Sequence, residues 1–256
     1  MKEHENRVVL ITGGNKGIGK GIALEFAQQG AKVVIGCNQN PEMASDTLKE
    51  LNEHSESIAV QADISSPESC GRLIQETVKQ FGTLDIVVNN AALQTNFSVL
   101  ESTYENYKRL INVNLRAPFL LMKLAHEHLK KSGQGRFILI SSVHGKRALD
   151  VDGPYAISKG GMEMLMREAA VEFAPDKITI NIIAPGAVAI EGKTGDPRSM
   201  SSTLKNIGRL NWMQKYRLGR MGLPSDIAYM ASYLASVKAE HITGTIFRLD
   251  GGSMLM

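Results

Sequence analysis

The chain predicts an α/β fold in which one parallel sheet is doubly wound, with helices on both faces. Three observations carry this expectation. Short β-branched runs alternate with amphipathic helical stretches almost from end to end. The strands are too apolar to be half exposed, as expected where helices cover both faces. The first strand also runs straight into a glycine-rich turn and a helix. Right-handed crossovers then complete the doubly wound arrangement.

Taken in order, Arg7–Thr12 reads as a buried strand, followed by a helix that buries Ile18, Ile22 and Phe26. Lys32–Cys37 is the second strand, and Pro41 opens a second helix near its first position. Ser57–Asp63 is the third strand. Ser66-Pro67-Glu68 then starts a helix with a capping hydroxyl, a proline and an acidic first turn. Leu84–Asn89 is the fourth strand, and a long helix spans roughly Thr103–Lys131. Arg136–Ile140 is the fifth strand, followed by a helix carrying Tyr155 that runs to about Ala174. Lys177–Ala184, a helix at Pro224–Ala235 and a last strand at Thr243–Leu249 complete the chain. A single domain over 1–256 is expected, without linker or repeat. The long connection at about 187–223 breaks the rhythm and reads as a substrate lid with short helices.

Composition sets bounds on function. A 43% apolar and 21% charged chain is ordinary for a globular protein. A net charge of +3 argues against nucleic acid or membrane surfaces as partners. The polar start, Met1 to Asn6, carries no signal peptide, and no apolar run approaches the ~20 residues of a membrane span. Cys37 and Cys70 show neither metal-ligand nor redox spacing, so no metal is expected and a reduced, cytoplasmic enzyme is.

The glycine turn, Thr12-Gly13-Gly14-Asn15-Lys16-Gly17-Ile18-Gly19, has the chemistry of a dinucleotide site. Gly13 can take the tight turn, Gly17 lets backbone approach a pyrophosphate, and Gly19 permits close helix packing. The free N–H groups of the helix start face the phosphates. The second strand ends Cys37-Asn38-Gln39-Asn40, without the carboxylate that would bond a ribose 2′-hydroxyl and repel a 2′-phosphate. With Lys16 adding a cation, NADP(H) is favoured and NAD(H) remains possible.

Two Tyr-xxx-Lys pairs occur, Tyr104/Lys108 and Tyr155/Lys159, and residues four apart share a helix face. Thirteen residues before Tyr155 stands Ser142 at a strand end; thirteen before Tyr104 stands Ala91. Tyr155/Lys159 is therefore the chemical candidate, and Tyr104/Lys108 is structural.

The set of motifs at 12–19, Asp63, Asn89-Asn-Ala-Ala92, Asn114, Ser142, Tyr155-xxx-Lys159 and Pro185-Gly186, in this order, resembles the short-chain dehydrogenase/reductase family over essentially all 256 residues. The resemblance implies a seven-stranded Rossmann-type sheet, mostly parallel, a nicotinamide cofactor and a homotetramer. It implies that Tyr155 is the acid/base, with Lys159 lowering the phenol from its free value near ~10 and holding the ribose. Ser142 would bond the substrate oxygen. Asn114 would sit in a locally opened helix that holds a proton-relay water. The implied cofactor contacts are Gly13, Asn15, Lys16, Gly17, Ile18, Gly19, Asn38, Asp63, Ile64, Asn90, Ala91, Ala92, Tyr155, Lys159, Pro185, Gly186 and Val188. Ala92 and Ile190 depart from the family's usual glycine and threonine. Gly160 and Gly161 would permit a close helix contact between subunits.

For substrate, Ser142, Tyr155, Gln94 and His144 are the candidates. His144 could touch a substrate hydroxyl, or only cap and pack its loop. Between Gly186 and Leu223 lie seven basic and two acidic residues, a local excess of +5. Lys146 and Arg147 add to it, which favours an anionic substrate or an acidic acyl carrier. The expected reaction is hydride exchange between the cofactor and a carbonyl/secondary alcohol. The substrate is a sugar or polyol, or a 3-oxoacyl thioester. A catalytically silent dinucleotide-binding regulator or scaffold is the alternative.

Overall fold

The computed structural model describes residues 2–38, 44–94, 97–148, 152–190 and 217–255. Among them, seven strands form one sheet: β1 (Val8–Thr12), β2 (Lys32–Cys37), β3 (Ser57–Gln61), β4 (Ile86–Asn89), β5 (Arg136–Ile140), β6 (Thr179–Pro185) and β7 (Ile246–Leu249). Their order is β3-β2-β1-β4-β5-β6-β7, and every pairing is parallel. The chain thus winds outward in one direction from β1 and in the other from β4. Their adjoining carboxyl ends form the switch point where such sheets bind ligands.

Among the described residues, seven helices cover the sheet. They are α1 (Gly17–Gln28), α2 (Ser45–Asn52), α3 (Pro67–Phe81), α4 (Tyr104–Ile111), α5 (Ala117–Ser132), α6 (Gly153–Phe173) and α7 (Pro224–Ala235). Alternation along each strand sends its side chains to two cores. Val9, Ile11, Val33, Ile35, Ile86 and Val88 meet Ile22 and Phe26 of α1 and Ile227 and Leu234 of α7. Leu10, Val34, Val87, Phe137 and Leu139 meet α3, α5 and α6. Each fully buried large side chain contributes about 1.5–3 kcal/mol. The centre of the sheet is wholly buried, whereas the edge strands β3 and β7 are mostly half-exposed.

Local chemistry sets the boundaries. Ser69 N–H donates to Ser66 Oγ (3.3 Å) at the start of α3, Pro67 opens it, and left-handed Gly82 closes it. Asp226 accepts the Leu223 N–H (2.7 Å) at the start of α7 and pairs with Arg220. α1 lies so close to α7 that a Cβ on Gly21 would come within 2.6 Å of Pro224 Cβ. β6 starts after Lys177 because that residue is left-handed (φ 59°), and left-handed Gly244 (φ 68°) delays β7. The long helix divides into α4 and α5 around a π-helical turn at Asn112–Arg116. The helix start at Pro41 lies outside the described residues. So does 191–216, which holds most of the expected lid and five of its seven basic residues. The stems on either side of that segment meet in a parallel bridge, Val188 with Gly222. No helix among the described residues is long and apolar enough to cross a membrane.

Candidate active site

The glycine turn is built as a cradle. Gly13 and Gly17 have positive φ (66° and 55°), a conformation that a side chain would strain. Gly19 is buried, and a Cβ there would overlap the Gly13 carbonyl oxygen. Thr12 Oγ1 accepts the N–H groups of both Asn90 and Ala91 (3.0 Å each), which stitches the ends of β1 and β4 together. Asn90 Nδ2 donates back to Thr12 O and Gly13 O. Thr47 Oγ1 holds the Asn15 carbonyl from α2 (3.0 Å).

A cleft of about 450 Å³ opens over this turn. Of the residues singled out in the sequence, Gly13, Asn15, Lys16, Gly17, Ile18, Asn38, Asp63, Ile64, Asn90, Ala91 and Ala92 line it. Gly19 packs beneath the turn instead. Pro185, Gly186 and Val188 lie at the end of β6, where Gly186 N–H bonds Leu249 O (3.0 Å), and they do not form part of the cleft lining. Ile190 does, and its side chain sits against Gly17. Arg109, Leu93, Val113 and Ser65 also line the cleft and were missed. Arg109 and Val113 stand four apart on one helix face beside Asn114, a spacing that could have revealed them. The shape, the empty space where a Cβ would clash and the helix N–H groups fit a dinucleotide. Replacing Gly19 with Ala is expected to abolish dinucleotide binding, read as loss of NADPH fluorescence enhancement. It should also cost about 1–3 kcal/mol of stability.

At the end of β5 the candidate catalytic groups come together. Ser142 caps a short 3-10 turn (Val143–Gly145), its Oγ accepting the His144 N–H at 3.2 Å. Tyr155 and Lys159 project from the first turns of α6, with the Lys159 Nζ 5.5 Å from the centre of the Tyr155 ring. The Ser142 hydroxyl lies near the Tyr155 phenol. Burial pushes the Tyr155 phenol up, a tendency that the neighbouring Ser142 hydroxyl opposes. Burial alone pushes Lys159, 1% exposed, down to about 7. Its Nζ donates to Ile140 O (2.9 Å), the last carbonyl of β5.

Asn114 joins the two halves of the site. It is fully buried in the π-helical turn, where its Oδ1 accepts the Leu93 N–H and its Nδ2 donates to Leu93 O, both at 2.8 Å. The same Nδ2 donates to Ser158 Oγ (3.1 Å), and Ser158 Oγ donates to Tyr155 O (2.7 Å). The loop after β4 is thus tied to the helix turn that carries Tyr155. Gln94 is exposed one residue beyond this clamp. Tyr104 of the second Tyr-xxx-Lys pair is 73% exposed.

Gly160 and Gly161 also make close contacts within the chain: a Cβ on Gly161 would press on Leu115 of the π turn at 3.0 Å, and Gly160 faces Gly145 O. Of the basic residues near the expected lid, Arg220 is neutralised by Asp226 (2.6 Å).

A doubly wound sheet with a glycine cradle at its switch point and a Ser/Tyr/Lys cluster beside it defines a nicotinamide-dependent oxidoreductase. A family model described as enoyl-(acyl carrier protein) reductase matches residues 13–254. The chain is similar to glucose 1-dehydrogenase 2 of Bacillus subtilis, 32% identical over 257 residues (99% of this chain, 97% of that protein). It is also similar to versicolorin reductase 1 of Aspergillus parasiticus, 33% identical over 257 residues (97% of each). A hydroxynaphthalene reductase-like protein, Arp2 of Metarhizium robertsii, is 36% identical over 262 residues (97% and 95%). Among solved structures, a Serratia marcescens short-chain dehydrogenase/reductase superposes with a TM-score of 0.88 at 28% identity, covering 98% of this chain and 99% of that one. The chain belongs to the short-chain dehydrogenase/reductase family and is an NAD(P)-dependent oxidoreductase.

Proposed function

We propose that the chain is an NADP(H)-dependent enzyme that interconverts a carbonyl and a secondary alcohol. The observation that carries this reading is the meeting of Ser142, Tyr155 and Lys159 at the end of β5, on the same edge of the sheet as the glycine cleft. The bound nicotinamide supplies the hydride in reduction and accepts it in oxidation. Tyr155 gives its phenolic proton to the carbonyl oxygen in reduction and recovers it in oxidation. A Lys159 ammonium beside the ring favours the phenolate and opposes the effect of burial. Ser142 donates to the oxygen on which charge develops. Asn114 holds the Tyr155 turn against the loop after β4 and belongs to the proton path.

Preference for the 2′-phosphate rests on the charges in the cleft. Lys16 and Arg109 are cations there, and Asn38 is exposed at the end of β2 where a carboxylate would select NAD(H). Cys37 is 3% exposed on the core face, so Asn38 is the position to change. Asn38→Asp is expected to shift the kcat/KM ratio of NADPH to NADH toward NADH by at least about tenfold, roughly 1.4 kcal/mol. An unchanged ratio would reject the assignment.

For substrate, a sugar or polyol, which the Bacillus relative's name also suggests, and a 3-oxoacyl thioester are retained, and the Metarhizium relative's name adds a hydroxynaphthalene. A groove of about 690 Å³ beside Ser142 holds Lys146, Arg167 and Arg248 against Glu163, which suits an anionic group on the substrate or its carrier. A homotetramer is supported by Ile157, Met164 and Val171, which recur every seven residues on α6 and are 53%, 55% and 77% exposed. The deciding experiment is a panel of these carbonyl compounds and alcohols, run in both directions with both cofactors. Dinucleotide binding without turnover of any member would overturn the enzymatic reading.

A further inference from the structure

The hydroxyl of Ser142 has one proton and two lone pairs, and where that proton points decides whether the serine can help a carbonyl react. Two groups of His144 lie on this oxygen. The His144 backbone N–H donates to Oγ at 3.2 Å and occupies one lone pair. The His144 ring lies on the same oxygen, with Nδ1 3.1 Å from Oγ.

The other side of the imidazole decides between the two ring tautomers. Nε2 of His144 is buried and has no hydrogen-bond partner. Were the proton on Nε2, the structure would carry an orphaned buried N–H, and the Ser142 proton would be spent on Nδ1. With the proton on Nδ1, only a bare lone pair is left unpaired, the less costly omission. The ring is also held in place: it meets the Tyr155 ring edge-on, with centroids 5.4 Å apart at 76°.

We infer that His144 is a positioning residue, which donates Nδ1–H to Ser142 Oγ so that the serine's own proton is directed at the reacting oxygen. With both lone pairs of Oγ engaged by the backbone and ring N–H groups of His144, the hydroxyl is a donor only. Accepting two bonds polarises its O–H and strengthens the one bond it gives. The charge on the substrate oxygen then grows toward a donor already oriented, so nothing has to turn during hydride transfer. His144 acts on the reaction through Ser142 and not by touching the substrate, and in this the inference rests on the carbonyl/alcohol reading above.

Two measurements test it. Long-range proton–nitrogen NMR of the intact, imidazole-labelled protein near neutral pH reads the tautomer directly, with the His144 signals assigned by their loss in His144→Gln. The expected spectrum shows a protonated Nδ1 and an unprotonated Nε2. A protonated Nε2 overturns the inference whatever the protein's activity, so this arm separates it from the functional reading. The second arm is kinetic, on the best substrate of the panel. Asparagine places an amide N–H near the position of Nδ1, whereas glutamine reaches toward that of Nε2. His144→Asn should keep kcat within about threefold of the native enzyme. His144→Gln and His144→Ala should lose about tenfold in kcat at unchanged KM, a fraction of the ~10²–10³ lost when such a donor is removed outright. Equal loss in all three variants would overturn the proposal. So would a rise in KM with kcat preserved, which would make His144 a substrate contact.

Discussion

Tyr155→Phe is expected to lower kcat by about 10³-fold while leaving dinucleotide affinity within about twofold, a barrier increase of roughly 4 kcal/mol. The substitution removes one oxygen and keeps the ring. The edge-on contact with His144 and the position beneath Lys159 both belong to the ring, so the helix turn should be undisturbed. The lost group is the phenol beside Ser142 and Lys159. Burial holds this phenol protonated at neutral pH, so the free enzyme is ready for reduction. Oxidation, which starts from the phenolate, should accelerate as pH rises. Steady-state kinetics in both directions, with NADPH binding followed by fluorescence, check this. A Tyr155→Phe variant within tenfold of the native enzyme would assign the acid/base role elsewhere.

Much of this site was legible because its parts are local. A glycine turn after a strand, a serine at a strand end and a Tyr-xxx-Lys on the next helix each lie within a few residues. Their physical demands, a positive φ at Gly13 and Gly17 or a shared helix face, are written in that short span. The choice between Tyr155 and Tyr104 needed one longer relation, the serine thirteen residues upstream. What escaped was set by tertiary approach. Arg109 reaches the cleft from α4, hinted at in the sequence only by its spacing of four from Val113. Gly160 and Gly161 accommodate the Gly145 carbonyl and Leu115 of the same chain, contacts that the sequence alone does not announce. The end of β2 was readable from strand alternation. Strand alternation puts Cys37 on the core face with Val33 and Ile35, leaving Asn38 to meet the cleft.

Replacing Lys159 with Met should remove most of the activity and yet make the protein more stable, in a way that depends on pH. The side chain is 1% exposed, and burial lowers its ammonium from an ordinary value of 10.5 to about 7. The unfolded chain therefore keeps this proton up to about pH 10.5, while the folded chain releases it near 7. Unfolding takes up a proton between those values, so the site's contribution to stability rises with pH across that window. The cost of the buried lysine is full below about pH 7 and gone above about 10.5. The gap between the two values sets a ceiling of about 5 kcal/mol on that cost. Methionine fills a similar volume without charge, but it leaves Ile140 O without the bond from Nζ, which returns about 1–3 kcal/mol. Lys159→Met should thus gain about 2 kcal/mol in urea unfolding at about pH 6.5, and the gain should shrink steadily toward about pH 10. Turnover should fall about 10²–10³-fold at or below about pH 7, where Lys159 carries the charge that favours the Tyr155 phenolate, and the loss should narrow as pH rises. A variant less stable than the native protein at that lower pH, or one whose advantage does not change with pH, would mean that the lysine carries no strained charge in the fold. The stability that the native chain forgoes at this position would then need another cause than the chemistry of its site.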